Sequence, residues 1–430
     1  MTTVICILYF IILTFIGFNL LYKPGTKFRI PFAKHSYMMC DGPEALLIFI
    51  FWTGLIGLGP VLSIRLGVLE LLCFLGIRRA RNPIVWSWSL KLYLLFLVWI
   101  MIGCLYTPSV EFGVRMLLKY LYPFLVALFA SCVVYNNEVA FKSLLGDRVT
   151  ALVALAVYFV PGMMGLVQGV FWHAAALTTH FIVLCMFSLS LCFIPKQRAK
   201  NCLWCIVFAL PCFLWSFRTG ILGLAIAFAS FSFVKYRIKS IPVIVMIAVL
   251  AVCSIFYIPR IKQKMYFNPD EVTITDFLTG NVDENNINTS GRNLMWDLVI
   301  PFYENHKLIG SGTGRVQKYF YTEIVGFGRG GQLHSDFLLM LCDNGTIGLS
   351  LYLLSYLGAL FHCMRISRRT KDKYTKALSL TAGAALCGVL VTLYSDNSVS
   401  YSMCTLSYPW GIYGMVLGLY RQEKLQYLSS

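Results

Sequence analysis

Residues 240–258 read SIPVIVMIAVLAVCSIFYI, a run of nineteen residues with no charged side chain. A helix of that length rises about 28 Å, close to the ~30 Å hydrocarbon core of a bilayer. Its two flanks differ in charge. Lys235, Arg237 and Lys239 precede it with no acid nearby, whereas the polar stretch 259–333 that follows carries eight basic and eight acidic residues. Basic residues gather on the cytoplasmic side of a membrane protein. The run therefore predicts a helix that leaves the cytoplasm and delivers the polar stretch to the opposite side.

Working outward, runs of the same kind cover 2–22, 45–62, 86–106, 112–134, 150–171, 174–194, 346–364, 376–395 and 403–420. Segments 201–216 and 219–234 are shorter and meet at Phe217-Arg218; 64–77 is marginal, a short or re-entrant helix. The basic loops at Arg78/Arg79/Arg81, Lys196/Arg198/Lys200 and 365–376 fall on one side with Lys235–Lys239, as does the C-terminus with Arg421 and Lys424. The expected fold class is all-α: a polytopic membrane bundle of twelve or thirteen transmembrane helices with one large extracytoplasmic loop. Its parts are an N-terminal bundle (1–258), the loop (259–333) and C-terminal helices (334–430).

Composition agrees. Of 430 residues, 58% are apolar and only 13% charged, against about 25% charged in soluble domains. That balance excludes a disordered chain, a secreted disulfide scaffold and a coiled coil. Continuous rather than alternating apolar runs argue against a β-barrel. The net charge of +17 sits in short loops as a topology signal, which argues against nucleic acid as a partner. The fifteen cysteines lie almost entirely inside apolar runs, and Cys202-x-x-Cys205 reads as helix packing rather than a redox motif.

Motifs for nucleotide phosphates, a zinc helix or a metal-bound sugar nucleotide are absent, so neither a metal nor a cofactor is expected. The run Gly310-Ser-Gly312-Thr-Gly314 has dinucleotide-like spacing but no preceding strand. Charges within the runs are few: Glu70 in the marginal segment, and Lys91, Arg115 and Lys119 near run ends, where long side chains snorkel to water. The outer side offers more. Arg218 stands at a tight turn between two short runs; alone it reads equally as an interfacial arginine on lipid phosphate. Arg292 opens an amphipathic stretch reaching Tyr303, where the plain alternative is a solvated charge at a helix start. His334 stands where the polar loop becomes apolar helix, followed by Ser335 and Asp336, which either cap that helix or orient the ring. A helix N-terminus disfavours imidazolium and keeps a neutral base. Arginine forks grip phosphate oxygens and an imidazole accepts a hydroxyl proton, a set suited to displacing a diphosphate by a sugar hydroxyl.

Three segments carry a resemblance to the bacterial O-antigen polymerase and ligase family of membrane glycosyltransferases. Ser216-Phe-Arg218-Thr-Gly220 resembles the family's Ser/Thr-x-Arg-Gly/Ala/Ser turn. Arg292-Asn-Leu-Met-Trp296, leading to Gly310-Ser-Gly312-Thr-Gly314, resembles its Arg-x-x-x-Trp segment and glycine-rich turn. His334-Ser-Asp-Phe-Leu, then Gly345-Thr-Ile-Gly348, is similar to its His-Asn-x-Tyr-Leu…Gly-x-x-Gly signature, with Ser335 in place of the commoner Asn.

The resemblance implies a GT-C-like bundle in the bacterial inner membrane, its site facing the periplasm. The implied reaction is inverting, metal-independent transfer of a glycan from undecaprenyl diphosphate. For a polymerase the acceptor is the next lipid-linked repeat; for a ligase it is lipid A–core. Arg218 and Arg292 would hold the donor diphosphate, and His334 would orient or deprotonate the acceptor hydroxyl. Arg115, Lys119, Arg315 and Asp336 are further substrate contacts. The implied partners are the lipid-linked oligosaccharide, membrane lipid and a chain-length-regulating co-polymerase. A flippase for the lipid-linked repeat is the reading from another class, but it calls for polar residues at mid-membrane, whereas here they crowd the outer face.

Overall fold

The computed structural model describes residues 2–22, 25–29, 37–159, 170–194, 198–215, 217–283, 286–324 and 333–429. Parts of the expectations above fall outside these residues: 160–169 of the run 150–171, Lys196, Ser216, and 325–332 of the polar loop.

Helix α1 (Thr2–Tyr22) is followed by a two-stranded antiparallel hairpin, β1 (Thr26–Arg29) and β2 (Tyr37–Cys40). Then come α2 (Gly42–Thr53), α3 (Leu62–Arg79), α4 (Trp88–Gly103), α5 (Val110–Val133), α6 (Asn137–Phe159), α7 (Ala174–Leu191), α8 (Arg198–Leu214), α9 (Arg218–Tyr236) and α10 (Ile241–Tyr257). The polar stretch holds only short helices: α11 (Pro259–Met265), α12 (Ile274–Thr279), α13 (Arg292–Asp297), α14 (Ile300–Asn305) and α15 (Arg315–Lys318). Three helices complete the chain: α16 (Asp336–Arg369), α17 (Lys373–Ser395) and α18 (Ser407–Ser429). The protein is an all-α, multi-pass membrane protein.

Among the described residues, seven helical stretches are long and apolar enough to cross a membrane, and two apolar helices, α2 and α4, are shorter. The twelve or thirteen spans expected from hydropathy also include shorter helices and the run 150–171, which lies partly outside the described residues. The run 45–62 does not form one helix: α2 stops at Thr53, and Leu58 adopts a left-handed φ of 52° before a short 3-10 turn. The marginal 64–77 instead becomes a full-length helix, continuous with that turn from Gly59 to Arg79. Helix α8 spans 17 residues and contains Pro211. Helices α9 and α10 belong to one 40-residue stretch, interrupted at Arg237, whose φ is 56°.

Helix α6 begins at Asn137, well before the run read from hydropathy, and so carries Asp147 and Arg148 into the bundle. Asp147 Oδ1 lies 3.1 Å from Nε2 of His180, both side chains fully buried. The other ring nitrogen of His180 lies 3.1 Å from the carbonyl oxygen of Cys404. Burying two ionisable groups is tolerated because each finds its partner inside the protein. The pair ties α6 and α7 to the segment between α17 and α18.

The core is aromatic. Tyr93 of α4 packs edge-on against Trp410 of α18, with ring centroids 4.8 Å apart, and Phe96 and Tyr352 close the same cluster at 4.8 Å. This block of α4, α5, α16 and α18 is the frame against which the polar loop docks.

Candidate functional site

Arg218 is the first residue of α9. Its guanidinium reaches into the polar loop, donating to the carbonyls of Lys264 (2.9 Å) and Asn288 (2.7 Å) and to Oγ of Ser290 (2.9 Å). The loop can wrap it because Ser290 and Gly291 both take left-handed φ values, 57° and 74°. That tight reversal starts α13 at Arg292 and brings Arg292 within electrostatic reach of Arg218. Arg292 is half-buried. Burial pulls its pKa down while the nearby carboxylate of Asp396 opposes that shift; an arginine so placed stays cationic.

His334 completes the group. Its φ of 51° is left-handed, a conformation that persists in a non-glycine residue only where the surroundings hold it. Two groups do so. Trp296 donates its indole N–H to the carbonyl of Leu333 at 3.0 Å, and Oδ1 of Asn397 accepts the backbone N–H of His334 at 3.0 Å. Helical geometry explains the Arg-x-x-x-Trp spacing: residues four apart share a helix face, so α13 presents Arg292 to the site and Trp296 to the residue before the histidine.

The ring of His334 faces two partners. Nδ2 of Asn397 lies 3.3 Å from Nδ1, and Oδ1 of Asp396 lies 3.7 Å from the same nitrogen. Because Asn397 Oδ1 is engaged by the backbone N–H, its amide nitrogen is the atom turned toward the ring. Nδ1 is therefore an acceptor in this arrangement and the Nε2 proton points away. In the other tautomer the Nδ1 proton is the one facing Asp396, and Nε2 is bare. His173, which precedes α7, lies within electrostatic reach of both His334 and Asp396 and packs edge-on against Tyr401 at 4.2 Å.

The remaining expected residues separate into three settings. Asp336 is buried; its Oδ2 accepts the N–H of Val399 at 2.9 Å, so it braces the turn after α17 rather than facing the site. Ser335 caps α16, accepting the N–H of Leu338 at 3.2 Å. Arg315 pairs with Glu323 at 3.7 Å and lies 4.8 Å above the ring of Phe302, apart from the Arg218–Arg292 pair. Arg115 and Lys119 line a cavity of about 240 Å³ together with Phe112, Trp172, Tyr321 and Tyr401.

The glycine-rich turn is a clasp on α16. The N–H groups of Gly314 and Val316 donate to the two carboxylate oxygens of Asp343, at 2.8 and 2.9 Å. Gly345 interrupts α16 with φ 66° and ψ −173°, so the helical segment that follows His334 ends there and the long second segment begins. A Cβ on Gly310 would stand 2.3 Å from the carbonyl oxygen of Asp343; only glycine lets the two backbones approach. Among the described residues no group of three or more His, Cys, Asp or Glu side chains is placed to hold a metal ion.

Asp396, Asn397 and His173 were missed by the sequence reading. His173 lies in an apolar context and Asp396 and Asn397 in a short polar turn, all outside the motifs, and no local spacing links them to His334.

The fold and site together define a multi-pass membrane protein with a cationic, histidine-containing site where its polar loop docks. Residues 203–353, about a third of the chain, match a family model described as O-antigen ligase. That stretch contains all three motif segments, and in it the chain is similar to the O-antigen ligase family. No curated protein matches the chain.

Proposed function

We propose that this protein is a metal-independent, inverting glycosyltransferase that polymerises lipid-linked repeat units at the periplasmic face of the bacterial inner membrane. The observation that carries the reading is the continuous electrostatic series Arg218, Arg292, Asp396 and His334. Arg218 and Arg292, from different elements, lie within electrostatic reach of each other, and Asp396 lies within reach of Arg292 and beside the imidazole.

In the proposed step the acceptor hydroxyl oxygen bonds to the anomeric carbon from the face opposite the diphosphate. The bond from that carbon to the diphosphate oxygen breaks, and its electron pair leaves with the diphosphate. Arg218 and Arg292 stabilise the charge that grows there, a contribution larger in the transition state than in the bound substrate. The hydroxyl proton passes to the bare Nε2 of the His334 tautomer that carries its own proton on Nδ1, and the carboxylate of Asp396 beside Nδ1 then stabilises the imidazolium. A chain-length-regulating co-polymerase is the expected partner.

The ligase reading shares this chemistry and is favoured by the description of the matching family model. A deletion strain separates the two. Under the polymerase reading the strain carries single repeats on lipid A–core; polymer stranded on undecaprenyl diphosphate would establish the ligase instead. Unaltered surface polysaccharide would overturn both.

A further inference from the structure

We propose that the cavity lined by Arg115 and Lys119 is a second anion site, which takes the diphosphate and first sugar of the acceptor glycolipid. The inference rests on the glycosyl transfer proposed above and deepens it, because a second lipid-borne diphosphate is the acceptor of a polymerase.

The cavity is distinct from the donor pair but adjoins the histidine. Neither Arg218, Arg292 nor His334 lines it. The short turn after α17 stands between: Asn397 at its start contacts His334, while Ser400, Tyr401, Ser402 and Met403 further along form the cavity wall. Tyr401 also packs against His173, with ring centroids 4.2 Å apart. The turn thus joins the cavity wall to a residue in contact with the imidazole, and a transfer between two anionic substrates requires a cationic site for each.

The lining specifies the ligand. Lys119 makes no hydrogen bond or ion pair among the described residues, and the opposite charge acting on it is Asp336, already engaged by Val399. An ammonium facing a cavity without a paired acid calls for an anion. Arg115 stands at the rim on the same helix face, four residues away. It is held by Glu111 through an i,i+4 ion pair and lies 5.3 Å from the ring of Phe112. Phe112 and Tyr321 stack with centroids 5.8 Å apart, and Trp172 meets Tyr401 edge-on at 5.6 Å. Electron-rich ring faces suit the C–H face of a sugar. The helices framing the cavity, α3 and α5, present exposed Ile64, Val110 and Val114 at this end, apolar surface along which a lipid tail can run. Cations with aromatic walls beside lipid-facing apolar residues fit a glycosyl diphosphate on a lipid.

The test is binding stoichiometry in phosphatidylcholine nanodiscs, with undecaprenyl diphosphate as the probe and native mass spectrometry as the readout. The wild type is expected to bind two molecules. Lys119→Gln should bind one and Lys119→Arg two, the latter showing that charge rather than folding is read. Arg218→Gln combined with Arg292→Gln should also bind one, and the triple variant none. A wild type that binds one molecule, or Lys119→Gln that still binds two, overturns the inference while leaving the donor site standing. Two molecules bound by the double arginine variant would instead sink the donor assignment. Loss of the second molecule when phosphatidylglycerol replaces phosphatidylcholine would make the cavity a phospholipid headgroup site and overturn the inference.

Discussion

Trp296 and Leu333 are 37 residues apart, yet the indole N–H of one is bonded to the carbonyl of the other at 3.0 Å. Through this bond the helix that presents Arg292 also fixes the backbone immediately before His334. The arginine and the histidine are thus set relative to each other by one short rigid element.

Trp296→Phe keeps an aromatic ring and removes only the N–H. The loss of one hydrogen bond costs about 1 kcal/mol of stability, a small shift in the melting temperature in detergent. Activity should fall further, about tenfold, because a misplaced His334 weakens the transition state. Polymer synthesis by membranes at matched expression, compared with thermal melting, separates the two effects; equal losses would show that the bond serves stability alone.

Arg292→Lys preserves charge and removes the planar fork. Bidentate contact with phosphate oxygens is lost, so chain length and polymer yield should drop by about 10²-fold. Complementation of the deletion strain, read as the polysaccharide ladder on a gel, checks this. A wild-type ladder would remove Arg292 from the site.

Asp396→Asn leaves the hydrogen-bonding size of the side chain but cannot stabilise an imidazolium. The rate constant kcat should fall about 10²–10³-fold with little change in KM, since the carboxylate acts only as the proton transfers. Steady-state assays on the purified protein in nanodiscs provide the split. A rise in KM alone would mean that Asp396 positions substrate rather than the ring.

Gly310→Ala forces a side chain at φ 77° into the carbonyl of Asp343. The clasp between the glycine-rich turn and α16 must open, with a cost of about 2–4 kcal/mol. Thermal melting in detergent should drop by several degrees. Ser311→Ala removes a hydroxyl that donates to Cys342 at 2.9 Å but leaves the turn's φ values alone, and should melt within about a degree of the wild type.

The membrane bundle, the all-α class and the identity of Arg218, Arg292 and His334 as candidates were legible in the sequence. Hydropathy and loop charge act residue by residue along the chain, and the motif residues carry their spacing with them. Helix ends were less legible. The start of α6 at Asn137 places Asp147 and Arg148 among helices that supply each with a side-chain partner, and a linear window cannot see a partner on another helix. For the same reason the turn at Leu58 and the full length of α3 escaped a reading based on apolar length.

The tertiary structure alone decided which residues share the site. Asp396 and Asn397 meet His334 from 62 and 63 residues further along the chain, because α17 returns across the bundle to the end where α16 begins. Asp336, beside the histidine in sequence, turns inward to the backbone of Val399, and Lys119 is left facing a cavity whose other walls come from α3, the polar loop and the turn before α18. Charge type and spacing are local properties of a chain. Which charges neutralise one another and which remain for a ligand depends on distances through space, and only packing sets those.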